Sequence, residues 1–129
     1  MPLVKISVFK GRDAEEKQAL HEAVHAALVD AYGIPAEDYN QRLQEYRRGD
    51  WIVPPGKSDK YVLVEIFQFA GRTPETKERL YRELVTQLEF LGTPKDEIMI
   101  LILESPLHNW GIRGGQRADL VDLGFRVDR

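Results

Sequence analysis

Hydrophobic positions along the chain change their period, and each change marks an element. Residues 2–9 alternate between apolar and polar side chains, which predicts a strand. Apolar residues then recur every four positions at Leu20, Val24 and Leu28, which predicts a helix with one buried stripe. Asp13, with a glutamate three residues later, is typical of a capping box at the start of that helix.

The second half of the chain repeats this pattern about sixty positions later. A β-rich run covers 61–69, and Thr73 followed by Pro74 predicts the start of a second helix. The segment Gly-Arg-Asp-Ala-Glu-Glu-Lys at 11–17 corresponds to Gly-Arg-Thr-Pro-Glu-Thr-Lys at 71–77. Two copies are too few for a solenoid, so the repeat predicts two similar β-α-β units.

Four further segments complete the expected order of elements. Residues 39–46 favour a strand weakly, because many of them are polar, and 47–59 contain the glycines and prolines of a loop. Residues 98–103 are almost wholly apolar, which predicts a central strand buried on both faces. Residues 122–127 favour a short edge strand near the end of the chain.

Together these elements predict an α+β fold. Two right-handed β-α-β units give a four-stranded mixed sheet with two helices on one face. We expect a single domain over residues 1–129, with repeat units of about 1–58 and 59–129. The second face of the sheet has no cover in the chain, which favours an oligomer.

Composition excludes several classes of function. The net charge is −3 and 30% of residues are charged, so no basic field attracts nucleic acid or an anionic membrane. The chain has no cysteine, which excludes disulfides and thiolate chemistry. No apolar run reaches the ~18–20 residues of a membrane span, so we expect a cytoplasmic protein. His21 and His25 have the spacing of a helical chelate, but helix packing is favoured, and no metal or cofactor is expected.

The two units differ at one position that carries chemistry. Pro2 opens the first strand, and Val62 stands at the matching position of the second unit. If Met1 is removed, as a small second residue permits, Pro2 carries a free secondary amine; if Met1 is retained, its nitrogen is an amide and no base exists. Burial and a neighbouring guanidinium both lower the pKa of an amine, which makes it a general base near neutral pH. The alternative is that Pro2 merely begins a strand, where its missing N–H costs nothing.

Arg72 is the candidate substrate ligand. It follows the strand expected beside the Pro2 strand, and a guanidinium binds a carboxylate through two hydrogen bonds. The alternative is a surface arginine, although a helix N-terminus is electrostatically a poor place for a cation. Arg12 is its counterpart in the first unit, and we interpret it as a relic or a supporting charge.

These features resemble the tautomerase superfamily. The resemblance is carried by Pro2 after Met1, by the Gly-Arg-x-x-Glu-x-Lys segments, and by His-Asn-Trp-Gly-Ile-Arg-Gly-Gly at 108–115. That last segment is similar to the tail of 4-oxalocrotonate tautomerase subunits, and each half of the chain resembles one such subunit. The fused length and the segments 34–38 and 70–77 resemble the malonate semialdehyde decarboxylase branch.

The resemblance implies further site residues and a homotrimer. Asp38 falls where the decarboxylase branch has an acidic residue that orients water, and Trp110 matches an aromatic wall of the pocket. Arg113 and Tyr39 are weaker candidates for substrate binding. The decarboxylase branch often has a second arginine two residues before the loop arginine, whereas this chain has Ala70.

Three functions remain open from the sequence. The first is a keto–enol tautomerase acting on a small carboxylate-bearing 2-oxo acid, with Pro2, Arg72 and Asp38 as its catalytic residues. The second is a decarboxylase or hydratase of a small oxo acid, which would share Pro2 and Arg72 with the first and differ from it in dependence on Asp38 and on a second cation. The third is a trimeric binding module in which the proline has no catalytic role.

Overall fold

A four-stranded mixed sheet carries two helices on one of its faces. The computed structural model describes residues 2–128. In chain order the main elements are β1 (Leu3–Phe9), α1 (Ala14–Tyr32), β2 (Gln41–Tyr46), β3 (Val62–Phe69), α2 (Pro74–Phe90) and β4 (Ile98–Ser105). A short hairpin of β5 (Gly111–Ile112) and β6 (Gln116–Arg117) follows.

The order of the strands confirms the two β-α-β units. The sheet runs β2-β1-β3-β4, with β1 and β2 parallel, β3 and β4 parallel, and β1 and β3 antiparallel. Leu3 pairs with Phe67, so the start of β1 lies beside the end of β3. We call the end of the sheet at which β1 and β2 begin and β3 and β4 end the proline edge. The end at which β1 and β2 end and β3 and β4 begin is called the opposite edge.

The expected caps fix where both helices begin. The Glu16 amide donates to Asp13 Oδ1 at 2.8 Å, and the Asp13 amide donates to Glu16 Oε1 at 3.2 Å, which confirms the capping box. At α2 the Thr76 amide donates to Thr73 Oγ1 at 3.2 Å, with Pro74 as the first helical residue. Such caps contribute about 1 kcal/mol each.

The core lies between the helices and one face of the sheet. Each fully buried aliphatic side chain there stabilises the fold by roughly 1.5–3 kcal/mol. The core includes Val4, Ile6, Val8, Val62, Val64 and Ile66 from the sheet, and Leu20, Val24, Leu28, Leu80, Leu84 and Leu88 from the helices. No helix within residues 2–128 is both long and apolar enough to cross a membrane.

The prediction of a central strand at 98–103 is wrong. β4 is an edge strand, because the second crossover places it outside β3 and no strand of this sheet follows it. Its side chains alternate, and those directed away from the helices are exposed: Met99 by 53%, Leu101 by 49% and Leu103 by 37%. An apolar face therefore remains open in the single chain.

The prediction of an edge strand at 122–127 is also wrong. The Gly124 amide donates to Asp122 Oδ1 at 2.9 Å, and Gly124 has a φ of +81°. Local bonding of this kind competes with the ladder of a strand. Residues 121–128, here called the C-terminal segment, instead cross the proline edge as irregular chain.

Candidate functional site

Pro2 and Arg72 meet in one cavity at the proline edge. Pro2 is buried directly before β1, and the antiparallel pairing of β1 with β3 brings it beside the loop that carries Arg72. The cavity is about 10 Å³, close to the least that a single water requires. It is lined by Pro2, Tyr32, Gln68, Phe69, Arg72, Phe125 and Val127.

Arg72 is held against the end of α1. Its side chain is buried, Nη1 donates to the Tyr32 carbonyl oxygen at 3.1 Å, and the guanidinium carbon lies 4.3 Å from the centre of the Tyr32 ring. A cation over an aromatic face is stabilised electrostatically, more so when water is excluded. These contacts fix the guanidinium beside Pro2 and make Arg72 part of the site rather than of the surface.

Tyr32 and Gln68 add an oriented amide to the cavity. The Tyr32 hydroxyl donates to Gln68 Oε1 at 2.7 Å, and burial raises the pKa of Tyr32 to about 12, so the hydroxyl keeps its proton at neutral pH. The oxygen of the amide therefore faces Tyr32. Within the described part of the chain, the buried Gln68 Nε2 has no hydrogen-bond partner. An unpaired buried donor is costly, and a ligand oxygen in the cavity would satisfy it.

Neither Tyr32 nor Gln68 was identified from the sequence, although the repeat contains a signal for both. Gln68 matches Val8 of the first unit, and Tyr32 matches Leu91 of the second. At both positions one unit has an aliphatic residue and the other has a side chain with a polar group. A polar departure from an otherwise apolar repeat marks a site that only one unit carries.

The C-terminal segment closes the cavity. Phe125 and Val127 contribute part of its lining. A Cβ atom placed on Gly71 would lie 2.6 Å from the Val127 carbonyl oxygen, so the segment passes directly over the loop that carries Arg72. Arg113 holds the start of this segment, because its Nη1 donates to the Asp122 carbonyl oxygen at 2.9 Å. The structure thus places Arg113 at the exposed start of the C-terminal segment and not in the lining of the cavity.

Asp38 and Tyr39 lie in the loop before β2, at the proline edge. The Val4 amide donates to the Asn40 carbonyl oxygen at 3.0 Å, which brings this loop beside the start of β1. The Tyr39 ring stacks on His25 with ring centres 3.9 Å apart. Both predicted residues therefore lie in a loop at the proline edge and are not part of the lining of the cavity.

Trp110 lies one aromatic layer away from the cavity. Its ring packs edge-on against Phe69 with ring centres 4.9 Å apart, and Nε1 donates to the Ser105 carbonyl oxygen at 3.2 Å. On its other side Trp110 lines a groove of about 450 Å³ on the open face of the sheet, together with Leu3 and Leu103. It supports the wall that Phe69 forms.

The histidines are engaged in local packing. His21 Nδ1 lies 2.8 Å from Gln41 Oε1, and His25 Nε2 lies 2.7 Å from the Ala36 carbonyl oxygen. Within residues 2–128 no three side chains of the metal-binding types cluster together. The polar groups in the lining of the cavity are the nitrogen of Pro2, the Arg72 guanidinium, the Gln68 amide and the Tyr32 hydroxyl.

Comparison with protein families matches both halves of the chain. Two family models, each described as tautomerase enzyme, match residues 38–113 and residues 2–59. The probable tautomerase YusQ of Bacillus subtilis (strain 168) is 24% identical over 128 residues, covering 95% of this chain and 100% of that protein.

Solved structures with the same fold include a decarboxylase and a fused 4-OT. FG41 malonate semialdehyde decarboxylase inhibited by 3-bromopropiolate is 32% identical with a TM-score of 0.83, covering 92% of this chain and 94% of that one. Native fused 4-OT is 25% identical with a TM-score of 0.84, covering 95% of this chain and 98% of that one.

Proposed function

The chain belongs to the tautomerase family, and we propose that it is a keto–enol tautomerase of a small 2-oxo acid, with the amine of Pro2 as general acid and base. The observation that carries the proposal is the burial of Pro2 and Arg72 in one cavity. Only the first of two similar units supplies a proline there, since the second has Val62.

Each group of the cavity takes one role in the proposed reaction. Arg72 binds the substrate carboxylate and so orients the adjacent carbonyl oxygen towards Gln68. The neutral amine of Pro2, present once Met1 is removed, takes a proton from the carbon next to the carbonyl. Negative charge then moves to the carbonyl oxygen, where Gln68 Nε2 donates a hydrogen bond. The resulting ammonium gives this proton to the oxygen, which forms the enol. In the reverse direction, ketonisation, the amine takes the proton of the enol hydroxyl and the ammonium delivers it to the carbon.

Substrate entry requires the cover to move. A cavity of about 10 Å³ does not hold a 2-oxo acid, so Phe125 and Val127 must withdraw before the substrate reaches Pro2. Closure of the C-terminal segment afterwards excludes water, which strengthens the charge interactions of Arg72.

We further propose that the protein is a homotrimer. The open face of the sheet exposes Met99, Leu101 and Leu103 in a row, and exposed apolar rows of this kind favour burial against another copy. A related fused 4-OT structure, 28% identical with a TM-score of 0.81, is described as a symmetric trimer.

A decarboxylase or hydratase of a small oxo acid is the second candidate. The 32% identity to FG41 malonate semialdehyde decarboxylase and the position of Asp38 at the proline edge support it. Ala70 stands where that branch often has a second arginine, so a paired-arginine clamp is missing from the loop. We therefore favour the tautomerase.

The proposal is tested with phenylenolpyruvate, whose ketonisation is followed by its ultraviolet absorbance. Pro2→Ala and Arg72→Ala should each reduce kcat/KM at least ~10-fold, since acid–base and charge-stabilising groups contribute that much or more. Arg82→Ala is the matched control, because Arg82 pairs with Glu78 on the surface of α2 at 3.0 Å. Full activity in both site variants would contradict the proposal.

The decarboxylase is distinguished by substrate and by Asp38. With malonate semialdehyde as substrate, a decarboxylase would release carbon dioxide and lose that reaction in Asp38→Asn. The tautomerase proposal expects ketonisation of phenylenolpyruvate to exceed any such release. The reverse order of the two rates would replace it with the decarboxylase.

A further inference from the structure

The opposite edge of the sheet repeats the backbone of the proline edge. Gly11 and Gly71 both have a φ of +133°, and each is followed by an arginine, Arg12 or Arg72. This φ is one that residues with a side chain rarely adopt. Both units therefore turn from strand to helix through the same conformation and present an arginine at the turn.

The aromatic wall is repeated as well. Trp51 packs on Phe9 with ring centres 4.9 Å apart, and Trp110 packs on Phe69 at 4.9 Å. Each tryptophan directly follows a short 3-10 helix. The opposite edge thus keeps a guanidinium and an aromatic wall in the arrangement of the proline edge.

A cavity of about 270 Å³ lies at this second position. Leu91 gives it an apolar wall and Arg12 and Lys60 give it polar ones, whereas Phe9 and Thr93 line it with almost no exposed surface, 1% and 4%. The C-terminal segment, which closes the cavity beside Pro2, contributes no residue to the lining here. The second cavity is thus open and large enough for a small organic acid.

The Arg12 guanidinium has little bonding of its own. Among the described residues its single hydrogen bond runs from Nη2 to the Lys60 carbonyl oxygen at 3.5 Å, the limit of such a bond. Burial lowers the pKa of Arg12, and the nearby carboxylates of Glu16, Asp59 and Glu45 act in the other direction. An arginine remains charged under either influence, so a desolvated cation faces the cavity.

Two of the three carboxylates near Arg12 have partners of their own. Glu16 accepts from the Asp13 amide at 3.2 Å, and Glu45 is paired with Lys17 at 2.8 Å. Among the lining residues, three cations outnumber two anions: Lys10, Arg12 and Lys60 against Glu16 and Asp59. The balance of charge favours an anionic ligand.

We propose that this cavity is a second binding site, which takes a small carboxylate and does not transform it. Arg12 binds the carboxylate, and Leu91 contacts the carbon chain of the ligand. At the position that matches Pro2 the chain has Val62, an internal residue whose nitrogen is a peptide amide and has no basicity. The inference rests on binding alone and stands whether or not Pro2 is catalytic.

The test is a titration of the ¹⁵N-labelled protein with malonate at constant ionic strength, following the backbone amides of Gly11 and Thr93, which line the cavity. Malonate should shift both amides in a saturable way. Arg12→Gln should weaken this binding at least ~10-fold, because a hydrogen bond to a charged group contributes about that much. Arg72→Gln should leave the shifts of Gly11 and Thr93 in place.

Two results would overturn the inference. One is the absence of any shift at Gly11 and Thr93 with malonate at about 50 mM, which detects binding much weaker than the millimolar range. The other is binding that does not depend on charge, seen either as an equal response to the neutral diamide malonamide or as an unchanged affinity for malonate in Arg12→Gln. The spectrum of each variant away from the cavity shows whether its fold is intact.

Discussion

Replacing Gly71 with alanine should release the cover of the proline cavity. Two effects act on this variant. A side chain at a φ of +133° strains the backbone by about 1–3 kcal/mol. The new Cβ atom would also lie 2.6 Å from the Val127 carbonyl oxygen, well inside van der Waals contact. Since that oxygen belongs to the backbone, the C-terminal segment must move as a whole.

Gly11→Ala separates the two effects, because Gly11 has the same φ and no atom within 4 Å of an added Cβ. The free energy of unfolding of both variants should be lower than that of the wild type by the energy of the backbone strain. Gly71→Ala should lose a further ~1–3 kcal/mol in the free energy of unfolding, the usual cost of overpacking, unless the segment detaches and relieves the clash. Urea denaturation measures the stability of both variants.

Detachment is measured by limited chymotrypsin digestion with mass spectrometry. Phe125 is partly buried against the core, so the bond after it should be protected in the wild type and in Gly11→Ala. In Gly71→Ala the same bond should be cleaved at least ~10-fold faster, because local opening exposes it. Equal stability of the two variants together with equal protection at Phe125 would refute the packing described for the segment.

Three further predictions follow from the cavity and the open face. The double variant Tyr32→Phe with Gln68→Leu should be at least as stable as the wild type, since it removes the unpaired Gln68 Nε2 and both partners of the Tyr32–Gln68 hydrogen bond, and so leaves no buried partner unpaired. It should nevertheless lose ~10-fold in kcat/KM for phenylenolpyruvate; lower stability with full activity would contradict this. The folded-state pKa of Tyr32, about 12, lies above its ordinary value, so its contribution to stability is present below pH ~10 and disappears as the pH rises to ~12. The difference in unfolding free energy between the wild type and Tyr32→Phe should narrow over that range, and a difference independent of pH would count against burial of the hydroxyl. Leu101→Glu should convert the proposed trimer to monomers in sedimentation velocity, because it places a charge on the open apolar face. Lys95→Glu, on the 3-10 helix before β4, is the control and should leave the trimer intact. A Leu101→Glu protein that sediments as the wild type would place the interface elsewhere.

The fold was predictable because the pattern of apolar and polar residues in the first unit recurs in the second. The caps at Asp13 and Thr73 and the apolar stripes of both helices are local signals, and the structure has them where the sequence indicates. The prediction for 98–103 was wrong because an apolar run does not distinguish between two kinds of strand. One is buried on both faces within the chain, and the other is an edge strand with one open face. Only the order of the strands decides between them, and that order depends on contacts distant in sequence.

The candidate site was predictable in part. Pro2 and Arg72 were found because one breaks the symmetry of the repeat and the other stands at an electrostatically poor position. Gln68 was missed because its contribution depends on the Tyr32 hydroxyl, which orients the amide from 36 residues away. The cover by Phe125 was missed because irregular chain has no periodic pattern that would indicate what it packs against.

The central claim concerns one nitrogen atom, and the most direct test changes only that atom. Two forms of the chain would be prepared, one beginning at Pro2 and one retaining Met1, with their masses confirmed. The rate of phenylenolpyruvate ketonisation would then be measured for both. The form that begins at Pro2 should be at least ~100-fold faster, because only it has an amine that accepts and returns a proton. Equal rates for the two forms would show that the proline nitrogen is not the base.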